Sequence, residues 1–165
     1  MHYRHLISVQ ALTETEALEL VESAMDPYGM GDVWDYYVIG GRWEGYFGLQ
    51  KNTLRYSEDP RRFLSELEEI KTSYNEAAKD ACSLLLDSGA LNKILEGEDF
   101  SELAEYGAED QAIKSFCRSL SKRYSVSSGF YDYTKRVAGN PTYLIDRVSL
   151  DVGENEWLVV IDIHY

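Results

Sequence analysis

Five polar and aromatic residues lie close together in one short segment, and their types could carry chemistry. Two tryptophans, Trp34 and Trp43, accompany two acids, Asp35 and Glu44, and the guanidinium of Arg42. A carboxylate can act as a general base, and the planar fork of arginine donors suits a phosphate or carboxylate group. The segment therefore predicts a ligand-binding site. The same residue types are also typical of hairpin packing, in which cross-strand aromatic pairs and a paired carboxylate add stability.

A second set of residues that could take part in catalysis or binding lies on an apolar stretch near the other end of the sequence. Asp162 and His164 flank Ile163, so on a strand the two polar side chains share one face. Histidine changes charge around neutral pH and can serve as an acid, a base or a ligand. Beyond these residues we find no recognised metal-ligand spacing and no nucleophile motif, so no metal, cofactor or catalytic residue is assigned.

The first candidate set must be positioned by two runs of strand-forming residues. Aromatic and β-branched residues lie on both sides of Gly40 and Gly41. Glycine reaches the positive φ that a two-residue turn requires, so residues 34–47 are predicted to form a β-hairpin that turns at these glycines. Tyr37, on the first of the two runs, joins the candidate set. The candidate ligand-binding residues are Trp34, Asp35, Tyr37, Arg42, Trp43, Asp162 and His164.

The two segments resemble a group of small uncharacterised proteins from bacteriophages and mobile elements. Those proteins carry a W-D-x-Y-x-I-G-G-R-W-x-G hairpin, matched here from Trp34 to Gly45. They often close on a strand ending in D-x-H, matched by Asp162-Ile163-His164. The resemblance covers these two places and leaves the middle of the chain unmatched. It implies a viral or prophage setting and a site shared by the two segments, but no activity.

The charge of the chain argues against one class of function. Its net charge is −13, from 29 acidic and 16 basic residues. Direct nucleic-acid binding is disfavoured, because it depends on clustered lysines and arginines. The acids either form a solvated surface or dock on a basic groove in the place of phosphates. A stretch without Lys or Arg is the candidate partner-binding face: Glu96, Glu98, Asp99, Glu102, Glu105, Glu109 and Asp110.

Sequence periodicity predicts both helices and strands. A capping box formed by Thr13 and Glu16 begins one helix, and Asp59-Pro60 begins a longer one whose apolar residues recur every three or four positions. A further helix is predicted from Ser101 to about Arg123. Strands are predicted at residues 3–11, 129–134, 142–152 and 156–164. The last of these is continuously apolar, which predicts a central strand covered on both faces.

This order of elements predicts the α+β class: a mainly antiparallel sheet with helices on one face. The 165 residues fit a single domain, 1–165, in which residues 60–123 form a helical insertion between sheet elements. No apolar run reaches the roughly 20 residues that span a bilayer, and no secretory signal is present. Cys82 and Cys117 are interpreted as buried free thiols. We therefore expect a cytoplasmic protein of a bacterial host, with no membrane association.

Two classes of function stay open. The first is an acidic interaction protein, more a binder than an enzyme, that inhibits a host nucleic-acid-binding defence factor such as a CRISPR effector, which would make it an anti-CRISPR or other anti-defence protein. Size, charge and the phage-like segment favour it. The second is a protein that binds or hydrolyses a small ligand such as a nucleotide, using the Trp34–Trp43 hairpin together with Asp162 and His164. The sequence identifies neither the partner nor the ligand.

Overall fold

The computed structural model describes residues 2–26, 35–87, 89, 92, 96, 128–133 and 149–164. Within them lie five strands, two α-helices and one short 3-10 turn. In chain order these are β1 (His2–Gln10), α1 (Glu14–Met25), β2 (Tyr36–Ile39), the 3-10 turn (Gly41–Trp43), β3 (Thr53–Arg55), α2 (Pro60–Asp87), β4 (Ser128–Asp132) and β5 (Glu156–His164).

The five strands form one mixed sheet in the order β2-β5-β1-β4, with β3 also paired to β5. β5 runs antiparallel to β1 along its whole length, from His2 opposite His164 to Gln10 opposite Glu156. β4 is parallel to β1, and every other pairing is antiparallel. The predicted α+β class with a mainly antiparallel sheet is confirmed, as is the central position of β5.

The predicted hairpin at Gly40 and Gly41 is wrong. β2 and β3 do not pair with each other but follow one another along the same edge of β5. Between them the chain leaves the sheet: Gly40 donates its N–H to the Val160 carbonyl at 2.9 Å, and Val160 donates to the Asn52 carbonyl at 2.9 Å. Both glycines have positive φ, as expected, yet they begin a 3-10 turn rather than a return strand. We call residues 41–51 the excursion loop.

The two faces of the sheet are covered by different helices. Odd-numbered residues such as Ile7 and Val159 form a core with Ala17 and Val21 of α1. Even-numbered residues of β1 point to the other face, where Arg4 donates to Glu69 of α2 at 3.2 Å. Leu6, Phe130, Leu158 and Val160 on that face are at most 1% exposed. The prediction had placed the helices on one face, but an apolar strand such as β5 requires cover on both.

The predicted starts of both helices are confirmed. The Glu16 N–H donates to the Thr13 hydroxyl at 3.2 Å, and the Glu16 carboxylate accepts from the Leu12 N–H at 2.7 Å. At α2 the Arg62 N–H donates to the Asp59 carboxylate at 3.0 Å. These contacts satisfy backbone donors that have no partner within the first turn of a helix.

Several other predictions are contradicted by the structure or concern residues that it does not describe. Residues 149–152 are not in a strand, and the rest of the predicted strand 142–152 and the helix from Ser101 lie outside the described residues. Cys82 is a free thiol but exposed rather than buried, and Cys117 lies outside the described residues. Neither described helix is long and apolar enough to cross a bilayer.

The chain divides into two compact units. One unit contains Met1–Ile70 and Ser127–Tyr165, and the other contains Lys71–Val126. All five strands and α1 belong to the first unit. The single domain with an insertion at residues 60–123 stays a prediction.

Candidate functional site

Three residues with aromatic rings occupy a row of register positions on three neighbouring strands at one end of the sheet, and each ring contacts the other two. His2 begins β1, His164 ends β5 and Tyr36 begins β2, and the three residues are direct register partners. The imidazoles of His2 and His164 meet edge to face with centroids 4.9 Å apart, and Tyr36 stacks on His164 at 4.9 Å with an interplanar angle of 7°. We call these three residues the ring row.

A buried carboxylate connects the ring row to the excursion loop. Asp162, only 3% exposed, accepts a hydrogen bond from Nδ1 of His2 at 2.9 Å and another from the backbone N–H of Arg42 at 3.2 Å. A Cβ at Gly41 would lie 2.5 Å from the Asp162 Cβ. Gly41 is therefore needed for two reasons, since its φ is +54° and the carboxylate occupies the space that a side chain would take.

A second carboxylate contacts the row from the solvent side. Oδ2 of Asp35 lies 2.8 Å from Nδ1 of His164, and the Asp35 N–H donates to the His164 carbonyl at 2.8 Å. The Asp35 side chain is 62% exposed. The cluster thus contains two carboxylate–imidazole pairs, one with a buried carboxylate and one with an exposed carboxylate.

Polar contacts hold the far end of the excursion loop against α2. Arg62 donates to the carbonyls of Phe47 and Tyr46 at 2.8 and 2.7 Å. The Tyr46 hydroxyl donates to Glu66 at 2.7 Å and accepts from Arg4 at 2.6 Å. Burial, assisted by the hydrogen bond to Glu66, raises the pKa of Tyr46 to about 12, so this phenol stays protonated as the donor to Glu66.

The structure brings most of the predicted site residues together. Asp35, Asp162 and His164 lie within the cluster described above. Arg42 joins them through its backbone, while its side chain is exposed, and Trp43 is half-buried in the 3-10 turn. Trp34 lies outside the described residues.

Tyr37 does not join the cluster. It lies on the opposite face of β2, where its hydroxyl donates to Asp26 at 3.3 Å. Burial, together with the Asp26 charge, raises the pKa of Tyr37. The alternation of side chains along a strand accounts for this separation from Tyr36.

Two members of the cluster were missed from the sequence. Neither His2 nor Tyr36 was among the candidate residues. Their proximity depends on the register between β1, β5 and β2, which places residues more than a hundred positions apart in one row. No local pattern carries that information. Among the described residues no three His, Cys, Asp or Glu side chains are placed to hold a metal ion.

The acidic residues have a second location that the sequence analysis did not single out. Glu96 of the predicted partner-binding face is exposed, and the other six residues of that face lie outside the described part. The outer surface of α1 and its C-cap residue carries exposed acids and no lysine or arginine. These residues are Glu14, Glu16, Glu19, Glu22 and Asp26. We call them the α1 acidic surface.

The comparisons with known proteins give no relative. The chain matches no known protein family, no curated protein and no solved structure.

Proposed function

We propose that this protein is an acidic interaction protein that binds the basic, nucleic-acid-binding surface of a host defence factor such as a CRISPR effector and inhibits it. The observation that carries the proposal is the α1 acidic surface, which presents four exposed carboxylates on α1 and a fifth on its C-cap residue, Asp26, without a compensating base. A surface of one sign steers a partner of the opposite sign and keeps nucleic acid away. The phage-type resemblance of residues 34–45 agrees with such a role.

The carboxylates at the centre of this surface make fewer contacts with the rest of the fold than those at its ends. Glu14 and Glu16 accept hydrogen bonds from Thr53 and from the backbone of Leu12. No ion pair among the described residues includes Glu19 or Glu22, and both side chains are exposed. These two glutamates can therefore be reversed in charge without removing a contact that stabilises the fold.

A nuclease-protection assay tests the proposal. Purified protein is titrated against a CRISPR effector with guide and target, at low and at high salt. Reversal of Glu19 and Glu22 to Lys should weaken inhibition, and combining it with reversal of Glu98, Asp99, Glu102 and Glu105 should weaken it further. Each exposed ion pair contributes only about 0 to 1 kcal/mol, so the effect should grow with the number of reversals. Inhibition by wild type should also decrease at high salt.

A matched control separates the effect of the α1 acidic surface from the effect of net charge alone. Asp151 and Glu154 are exposed acids in the turn before β5, and their reversal to Lys changes the net charge by the same amount as reversal of Glu19 and Glu22. This control should inhibit as wild type does. Equal loss in both double variants, or inhibition that is the same at both salt concentrations, would contradict a specific acidic contact.

The cluster at the end of the sheet favours a second candidate function, the binding or hydrolysis of a small ligand such as a nucleotide. The specific observation is that Asp162 connects the two segments on which the resemblance rests. A nucleotide that binds there should raise the melting temperature in a concentration-dependent way. Arg42→Ala should remove that shift, whereas Lys51→Ala, which removes another exposed cation of the excursion loop, should retain it. No shift with any nucleotide would exclude this ligand class.

A further inference from the structure

Three side chains in the cluster form a linear chain of contacts that neither proposed function uses. Oδ1 of Asp162 lies 2.9 Å from Nδ1 of His2, and Nε2 of His2 lies 3.3 Å from the Tyr36 hydroxyl oxygen. Their exposure increases along the chain. Asp162 is 3% exposed, the His2 side chain is 19% exposed and Tyr36 is 45% exposed. The phenol therefore faces solvent while the carboxylate is held inside the fold.

The contacts assign the hydrogen atoms along this chain. A carboxylate oxygen only accepts, so Nδ1 of His2 carries the hydrogen that is donated to Asp162. In the neutral imidazole, Nε2 is then the acceptor, and the hydroxyl of Tyr36 is the donor that faces it. The second oxygen of Asp162 is occupied by the N–H of Arg42. Asp162 is thus fixed in place and in turn fixes the tautomer and orientation of the imidazole.

We propose that Tyr36 is a nucleophile activated by His2, with Asp162 as the positioning residue, and that its substrate is an uncharged activated acyl group such as a carboxylic ester. A hydroxyl in contact with an imidazole, which a buried carboxylate orients, is the general arrangement of an activated oxygen nucleophile. The proposal requires neither an acidic partner contact nor nucleotide binding. It therefore stands or fails separately from the acidic partner contact, and it assigns the cluster a different ligand class from the nucleotide of the second candidate function.

The reaction balances without a cofactor. The Tyr36 oxygen bonds to the ester carbonyl carbon while its proton passes to Nε2 of His2. The ester C–O bond then breaks, and the alcohol leaves with that proton. Water attacks the resulting O-acyl tyrosine with His2 again accepting a proton, which releases the carboxylic acid and restores the phenol.

The charges around Tyr36 decide between acyl and phosphoryl donors. Asp162 contacts His2 of the ring row and Asp35 contacts His164. The chain carries a net charge of −13. A phosphate ester or anhydride would approach these carboxylates with negative charges of its own, which costs free energy. An uncharged ester carbonyl avoids that repulsion. The surroundings therefore favour an acyl donor.

Covalent labelling tests the nucleophile. The protein is treated with benzenesulfonyl fluoride at pH 7.5, where attack by Tyr36 displaces fluoride and leaves a stable adduct that peptide mapping locates. Tyr36 should react at least about tenfold faster than N-acetyltyrosine amide, because general base catalysis contributes about a hundredfold or more. His2→Gln should lower the rate at Tyr36 by at least about tenfold. The proposal is overturned if Tyr36 reacts no faster than N-acetyltyrosine amide, or if the rate at Tyr36 is undiminished in His2→Gln.

Control variants distinguish catalysis from folding. Asp162→Asn should also slow labelling of Tyr36, whereas Asp151→Asn, the same change at an exposed carboxylate outside the cluster, should leave the rate at the wild-type value. Far-UV circular dichroism and the melting temperature of each variant show whether the fold is retained. Equal rates in Asp162→Asn and wild type would remove Asp162 from the mechanism and overturn its positioning role.

The pH profile of labelling provides a readout that a merely structural role would not change. Among the described residues, the titratable groups that contact His2 are Asp162 and His164 on β5 and Tyr36 on β2. A rate that depends on an imidazole base levels off at a lower pH than a rate that depends on ionisation of a phenol. Wild type should show the first profile and His2→Gln the second, and a phenolate profile in wild type overturns the proposal.

The acyl substrate class has its own test. Incubation with p-nitrophenyl acetate should release nitrophenolate and, after an acid quench, leave an acetyl group on Tyr36. Tyr36→Phe should abolish that adduct and the accompanying release. Acetylation confined to lysines or to other tyrosines overturns the assignment of an ester as the substrate.

Discussion

His2 and His5 lie three positions apart on β1, and the sheet gives them opposite environments. His2 is partly exposed and paired with the carboxylate of Asp162. His5 points to the other face, where it is 4% exposed and stacks on Tyr131 with centroids 5.4 Å apart. Burial lowers the pKa of His5 to about 4. The same residue type is thus kept uncharged on one face and oriented by an acid on the other.

The difference shows what separates a packed histidine from one available for chemistry. On the face that packs against α1, the His5 imidazole fills space. It occupies the volume that a side chain at Gly129 would need. On the other face the ring is held by hydrogen bonds at its nitrogens and remains within reach of solvent. Four predictions test this comparison, in order of decreasing effect.

Acidification should destabilise the protein through His5. Its pKa is about 4 in the folded state and about 6.5 in the unfolded chain, so the unfolded state binds more protons between these values. Stability should therefore fall as pH decreases from 6.5 to 4, by about 3 kcal/mol from this group. Urea unfolding across that range measures the loss. An NMR titration in which the His5 ring protonates near pH 6.5 would contradict the buried, neutral state.

Substitution of Gly129 by Ala should cost about 2 kcal/mol of folding free energy, because overpacking a rigid site forces neighbours to move. The added Cβ would overlap the ring of His5, which is buried and stacked on Tyr131. The matched control is Gly153→Ala, whose Cβ would lie 3.4 Å from the Gln10 side chain. Equal denaturation midpoints for the two variants would show that His5 is loosely packed.

On the other face, Gly41→Ala should destabilise by roughly 1 to 2 kcal/mol, because alanine at positive φ is strained and its methyl group would contact Asp162. The sequence-based reason for this glycine, a hairpin turn, is replaced by the close approach of the carboxylate. Chemical denaturation gives the free energy. An NMR spectrum shows whether the amide of Arg42 loses its hydrogen bond. An unchanged Arg42 amide in this variant would contradict the contact with Asp162.

The smallest effect is expected for Asp35→Asn, which should change the folding free energy by less than about 1 kcal/mol, as exposed ion pairs usually do. Asp35 is largely exposed, whereas Asp162 is buried with both oxygens engaged. Asp162→Asn should therefore cost more in the same denaturation experiment. A larger loss for Asp35→Asn than for Asp162→Asn would reverse the assignment of the inner and outer carboxylates.

Much of the fold could be predicted from the sequence because local patterns carry it. Helix caps at Thr13 and Asp59 and the alternation in β1 depend on neighbours a few residues apart. The continuous apolar run of β5 also indicates a covered strand. These elements agree with the structure within a few residues.

The candidate site was predicted only in part, since its geometry depends on long-range register. Gly40 and Gly41 indicate positive φ, but both a hairpin turn and the start of this particular 3-10 turn place glycine there. The choice between them depends on where β3 returns to β5. Asp162 and His164 were found from their spacing on one strand. His2 was not, because its neighbour in space is 160 residues away in sequence.

The pairing of β1 with β5 has a consequence for how the chain is made. His2 pairs with His164 and Gln10 with Glu156, so during translation the first strand leaves the ribosome long before its antiparallel partner exists. The central sheet can close only after residues 156–164 have been synthesised, and contacts of such long range are slow to form. Until then β1 can pair only with β4, and the sheet stays incomplete. A nascent chain of this topology should depend on chaperones, and fusion to a ribosome-stalling sequence should reveal no completed central sheet before β5 emerges.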